Sequence, residues 1–196
     1  MTFGEIAGRV RSHLGQEHRY KHVIRVARCA DVLAQSHGVN SQQARIAGML
    51  HDLARLYDTK RLLEESRRYG IPIDEYAREH PIVLHASLGA ELARDQFGVR
   101  DEAILSAIRK HTLGDGEMND LDCILYLADG LEPGREFAER DELFDLAKGD
   151  LRAGMRATLR SSVEYLRSRG LPLAPQTARA GATFGLSPDE LEVCTA

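Results

Sequence analysis

The chain has 196 residues, 43% hydrophobic and 29% charged, enough apolar material for a substantial core in one domain or a closely packed pair, one domain being the simpler expectation. A formal net charge of -4 offers no global basic field for a nucleic-acid backbone or an anionic membrane, so any phosphate chemistry must rest on a local site. Cys29, Cys123 and Cys194 form an odd set without a close pair, MTFGEIAGRVRSHLG lacks the apolar core of a signal peptide, and no run reaches membrane-spanning length. These features point to a cytoplasmic protein whose cysteines are packing residues.

Helix signals then follow one another along the chain: a capping residue, an apolar stripe at three- and four-residue spacing, and a glycine stop. One helix is expected from about His18 to His37, carrying Val23, Val26, Ala27, Ala30, Leu33 and Ala34, with Gly38 as a left-handed cap. The next starts after Asn40 or Ser41 and passes Ala44, Ala47 and Met49 to the adjacent His51 and Asp52. Thr59 to Tyr69 reads as a charged surface helix ended by Gly70, and Pro72 and Pro81 bracket a short, irregular or partly helical link. Ile82 to Phe97 sets His85, Leu88, Gly89 and Leu92 on one face before Gly98.

Asp101 caps a helix through Ile104, Ala107 and Ile108 that ends at His111. GDGEMND is a loop, and Leu121, Ile124, Leu125, Ala128 and Leu131 mark the following helix, with Asp129 beside its apolar face and Glu132-Pro133-Gly134 as its break. The last long helix is expected from about Gly149 to Arg169. GLPLAPQT is not helical with Pro172 and Pro175 in place, and the tail Ala178 to Ala196 offers one short turn of helix at Ser187 to Val193. Few segments read as strands, so the fold expected is all-α.

Placing a histidine and an aspartate at 51 and 52 inside an apolar stretch needs a reason. His22, His85, His111 and Asp129 share that position at the inward face or end of a predicted helix. Any one of these histidines alone is more often a hydrogen-bonded core residue than a ligand. The set argues otherwise: a carboxylate beside an apolar face costs several kcal/mol unless paired, and either an arginine or a metal would serve Asp52 and Asp129. Imidazole nitrogen and carboxylate oxygen suit iron, manganese, cobalt or zinc. Neighbouring side chains on a helix diverge by about 100°, which would let Asp52 reach toward a second ion.

The order H…HD…H…H…D resembles the HD-domain phosphohydrolase superfamily, all-helical metal-dependent enzymes. HRYKH, AGMLHDLAR, PIVLHASLGA, AIRKHTLG, MNDLDCILYLADGLEPGR and LPLAPQT further resemble, in order and spacing, its YqeK branch, over about Glu17 to Thr177. That branch comprises symmetrical diadenosine tetraphosphate hydrolases that carry iron. The resemblance implies a helical HD bundle over 1–177, with ligand motifs within 17–135, a nucleotide-side segment at 172–177 and a tail at 178–196. It implies a metal site of His22, His51, Asp52 and Asp129 holding one or two iron ions, with manganese or cobalt as substitutes.

Asp52, His85 and His111 would be the catalytic set, the two histidines either completing a second metal site or contacting phosphate. Two ions would activate a hydroxide and neutralise charge on the phosphoryl oxygens. Arg19 lies three residues before His22 on the same helical face, where it could clamp a phosphate. Arg135 follows Asp129 after the helix break and returns toward the same mouth, while Thr112 beside His111 offers a hydroxyl. Pro172, Leu173, Ala174, Pro175, Gln176 and Thr177 would meet the nucleotide through backbone groups in an extended stretch.

Departures from the branch pattern are Arg55 in place of a lysine, Gly130 in place of a larger residue and an acidic EFAERDELF segment. His13, His18, His37 and His80 match no ligand position. The leading function is cleavage of diadenosine tetraphosphate to two ADP. Its alternatives are an HD nucleotidase acting on another nucleotide and a nucleotide-binding sensor without turnover. A di-iron oxidase bundle would use Glu-x-x-His pairs, which the chain lacks. The partner expected is a dinucleoside polyphosphate or other nucleotide, with no nucleic acid and no membrane.

Overall fold

Apolar except for Asp122, Leu121 to Ala128 does not read as a surface helix, and in the computed structural model, which describes residues 2–192, every one of these residues is buried. They belong to α8 (Asp120–Leu131), started by a capping box in which Asn119 and Asp122 exchange side-chain and backbone hydrogen bonds. Against it pack α2 (Glu17–Ser36), α3 (Ser41–Leu50), α7 (Glu102–Lys110), α9 (Arg140–Gly149) and α10 (Leu151–Ser168). The remaining elements are α1 (Phe3–Leu14), α4 (Thr59–Arg68), α5 (Glu75–Glu79), a 3-10 turn (Pro81–Val83), α6 (Leu84–Gln96), α11 (Pro175–Thr183) and α12 (Pro188–Leu191). Among the described residues there is no strand, in keeping with the all-α expectation.

Small residues bring the helices that carry polar groups close together. A Cβ on Gly48 of α3 would lie 2.6 Å from the Cα of Ala27 in α2, and one on Gly89 of α6 would lie 3.1 Å from the His51 carbonyl. The side chains of His22, His51 and His85 therefore start from backbones in near contact. Gly38, Gly70 and Gly98 adopt positive φ as the stop signals require.

Several sequence expectations need correction. The first residues were read only for a targeting signal, yet Thr2 and Glu5 form a capping box and Ile6, Val10 and Leu14 enter the core. The acidic segment after Arg135 leads into α9, whose Leu143 and Ala147 are buried, and Gly154 of α10 fits against Ala147. His51 is the residue just beyond α3 rather than inside a continuing helix, and residues 51–56 form turns.

The extended stretch expected over Pro172 to Thr177 ends at Ala174, because Pro175 stands in the first turn of α11, where a missing N–H costs nothing. That helix runs through the expected boundary at Thr177, and Ala180, Phe184 and Leu186 join the core. The short turn foreseen at Ser187 to Val193 is α12, capped by Ser187 and Glu190, with Val193 outside the described residues. Cys29 and Cys123 are free and buried as packing residues, whereas Cys194 is outside the described residues. No described helix is long and apolar enough to cross a membrane.

Candidate metal centre

A helix leaves its last carbonyls without intrahelical partners, and two of the site histidines use them. His51 follows α3 and its Nδ1 donates to Gly48 O at 2.8 Å; His111 follows α7 and its Nδ1 donates to Ile108 O at 2.7 Å. His85 repeats the arrangement with Ile82 O at 2.5 Å. A carbonyl only accepts, so each Nδ1 carries the proton and each Nε2 presents a lone pair. His22 reaches the same tautomer through Glu132, whose Oε1 accepts from Nδ1 at 3.1 Å.

The Nε2 atoms of His22 and His51 each lie near both aspartates, and that of His85 lies near Asp52. His22 Nε2 lies 3.6 Å from Asp52 Oδ2 and 3.1 Å from Asp129 Oδ1. His51 Nε2 is 3.5 Å from Asp52 Oδ2 and 3.7 Å from Asp129 Oδ1. His85 Nε2 is 3.6 Å from Asp52 Oδ1 and 3.2 Å from His111 Nε2. Asp52 thus presents one oxygen to the His22 and His51 side and the other to His85. The groups His22, His51, Asp129 and His51, Asp52, His111 each hold their ligand atoms within 4.8 Å of one another.

These atoms are all acceptors. Nε2 of His22 and of His51 is buried with no hydrogen-bond donor opposite it, and two imidazole lone pairs meet between His85 and His111. Only added positive charge makes such an arrangement favourable, and nitrogen–oxygen donors whose outer nitrogens are held by carbonyls and a carboxylate fit a divalent or trivalent transition metal. Burial, reinforced by neighbouring imidazoles, pushes His85 and His111 down to about 4. Burial likewise lowers His51, so these three rings are neutral near pH 7, as ligation requires. For Asp52 and Asp129 burial acts upward, but the neighbouring histidines, protonated at the acidic pH where carboxyls titrate, and Arg135 beside Asp129 outweigh it and hold both carboxyls below their usual range.

The sequence left arginine and metal as alternative partners for the aspartates; the structure provides an arginine for each beside the acceptor cluster. Arg19 Nη1 donates to Asp52 Oδ2 at 2.8 Å, and Arg135 Nη2 donates to Asp129 Oδ1 at 2.6 Å. Thr112 Oγ1 is 3.1 Å from His111 Nε2 and 3.3 Å from His85 Nε2. Beside it opens a cavity of about 650 Å³ lined by Thr112, Gly130, Arg135, Thr158, Ala174 and Thr177 among others. A Cβ on Gly130 would touch only Thr158 Cγ2 at 3.9 Å, so its missing side chain widens the cavity.

Of the expected 172–177 segment, Ala174 and Thr177 line this cavity and Thr177 donates its hydroxyl to Leu113 O. Gln176 lines a separate, smaller one, Pro172 O accepts from the Tyr76 hydroxyl at 3.4 Å, and neither cavity's lining includes Pro172, Leu173 or Pro175. His13 and His37 face the carbonyls of Leu53 and Ala147, each at 2.7 Å, and His80 packs on Tyr76.

Glu132 escaped the sequence reading, which took it as part of a helix break. It is 1% exposed and accepts from His22 Nδ1, from Arg25 Nε and Nη2, and from Gly134 N. Burial would raise its carboxyl, but Arg25, the Gly134 N–H and His22 bring it down to about 2. A Cβ on Gly134 would lie 2.4 Å from the Arg25 guanidinium, so a larger residue there would push that side chain aside from Glu132. Its one sequence signal was a glutamate at the end of an otherwise apolar helix, which does not reveal a partner 110 residues away.

An all-α bundle that converges histidines and aspartates on a buried candidate metal centre beside an open cavity defines the class. Residues 19–134 match the HD domain model. The chain is 35% identical to a symmetrical bis(5'-nucleosyl)-tetraphosphatase of Halalkalibacterium halodurans, over 90% of this chain and 94% of that protein. It is 35% identical to the protein of the same name from Bacillus subtilis, over 82% and 86%. A crystal structure from Clostridium acetobutylicum, described as a predicted HD superfamily hydrolase involved in NAD metabolism, superposes with a TM-score of 0.88 at 31% identity, covering 94% of this chain and 97% of that one. The chain belongs to the HD-domain family, among the relatives that carry the symmetrical tetraphosphatase name.

Proposed function

We propose that this protein hydrolyses diadenosine tetraphosphate symmetrically: water adds to a central phosphorus, the bridging P–O bond breaks, and two ADP leave. The observation that carries the reading is the cluster of unprotonated Nε2 atoms and aspartate oxygens, bordered by two arginines and opening through Thr112 onto a cavity of about 650 Å³. Similarity over nine-tenths of the chain to a protein named for this activity supports it.

Iron is the metal the reading assigns, one ion held by His22, His51, Asp52 and Asp129, with His85 and His111 toward a second ion or the phosphates. A metal there would supply Lewis-acid polarisation of a phosphoryl oxygen and lower the pKa of water. The chain's own residues do the rest. Arg19 and Arg135, already at the rim of the acceptor cluster, offset charge on the tetraphosphate. Thr112 Oγ1 donates to a phosphate oxygen, and neutral His85 or His111 accepts the proton released from water. Buried ligands on short tethers to helix ends keep these groups in register as the P–O bond breaks.

The test is anaerobic loading with ferrous iron, addition of diadenosine tetraphosphate and identification of the nucleotide products. Two ADP support the reading. ATP plus AMP, or no reaction by metal-loaded protein, would sink it.

A further inference from the structure

A symmetric cut needs both ends of the substrate placed, and the larger cavity accounts for one. A second cavity of about 280 Å³ also has Thr112 in its lining, with residues of α5, α6 and α7 and with Gln176. Tyr76, Thr112 and Leu113 line both. Two of these shared residues belong to the segment whose Thr112 hydroxyl touches His85 and His111.

The chemistry of the smaller cavity is that of a nucleoside end. Its cations are already neutralised: Arg109 Nη2 is 3.2 Å from Glu91 Oε1, and Lys110 Nζ is 2.8 Å from Asp122 Oδ2. Asp74 and Asp115 also line it, and these further negative charges disfavour a phosphate there. Gln176 fixes the hydrogen-bonding preference. Asp74 Oδ2 accepts from Gln176 Nε2 at 3.1 Å, and because a carboxylate can only accept, the amide orientation is set and Oε1 is the free end. That Oε1 is buried and has no donor. Ligand sites are apolar hollows with a few such unfilled groups, and this one asks for an N–H donor.

We propose that the smaller cavity seats the second nucleoside of the substrate, with an exocyclic amino group of the base donating to Gln176 Oε1. The larger cavity then takes the first nucleoside, and the tetraphosphate crosses over Thr112 with its central bridge at the metal centre. The inference rests on the dinucleoside reading of the site. It explains selection of a dinucleoside over a mononucleotide through a seat that a mononucleotide leaves empty.

Equilibrium dialysis of metal-loaded protein against ADP should give two ADP per chain, and one for Ser87→Phe, whose ring enters the smaller cavity from α6. In kinetics, the ratio of kcat/KM for diadenosine tetraphosphate to that for adenosine 5'-tetraphosphate should fall about tenfold in Gln176→Leu, the size of one lost hydrogen bond. Gln176→Leu guards against a folding defect in Ser87→Phe, and metal content is measured for both. One ADP per chain on the wild type, or equal loss on both substrates, would overturn the second seat. Wild-type protein that binds two ADP yet cleaves neither substrate would instead strike the hydrolase reading and leave the seat standing.

Discussion

Glu132→Gln removes one negative charge from a buried cluster while keeping its shape. In the folded protein the carboxylate accepts from His22, from two nitrogens of Arg25 and from the Gly134 N–H. The amide must turn a donor toward one of those donors. The fall of the Glu132 carboxyl from its ordinary 4.5 to about 2 corresponds to about 3 kcal/mol of preference for the charged form in the folded state. Metal-free Glu132→Gln should therefore lose up to about 3 kcal/mol in urea unfolding at pH 7.

The sign follows from the lowered value: the contribution is complete above 4.5 and lost as pH falls toward about 2, so wild type and variant should converge over that window. Glu132 also holds the His22 ring, and loss of such an outer partner costs about 10–100-fold in metal affinity. Chelator competition at fixed pH measures this. A variant with wild-type metal affinity, or a stability difference that stays constant down to pH 2, would refute the argument.

Gly48→Ala should cost about 1–3 kcal/mol in unfolding experiments and weaken metal binding, because its Cβ would push Ala27 and displace the carbonyl that fixes His51. Arg19→Ala should lower kcat/KM for diadenosine tetraphosphate by about 10–100-fold, a lost charge-assisted contact, with metal content retained; loss of metal instead would make Arg19 a structural partner of Asp52. His85 and His111 lie near 4 against an ordinary 6.5, so between these values the unfolded chain binds more protons. Unfolding free energy of the metal-free protein should then be flat above about pH 6.5 and fall as pH drops toward 4, a slope that His85→Asn should reduce.

The inward stripe of α2, the apolar run of α8 and the glycine stops were legible because helix periodicity and capping are local. The same locality exposed His22, His51, Asp52, His85, His111 and Asp129, each a polar residue at the inward face or end of an apolar helix. The sequence missed α1 and α9 because their segments were read for targeting signals and charge, and it read GLPLAPQT as non-helical because Pro175 looked like a breaker when it starts a helix.

Tertiary structure alone decided what those residues meet. It put Glu132 behind His22 and seated Arg19 and Arg135 on the two aspartates. It also set Gln176 in a different cavity from Ala174 and Thr177. Periodicity states which way a side chain faces, whereas a hydrogen-bond partner from another helix depends on how closely two backbones approach. Here that approach is set by glycines such as Gly48 and Gly89, whose meaning in the sequence is only the absence of a side chain.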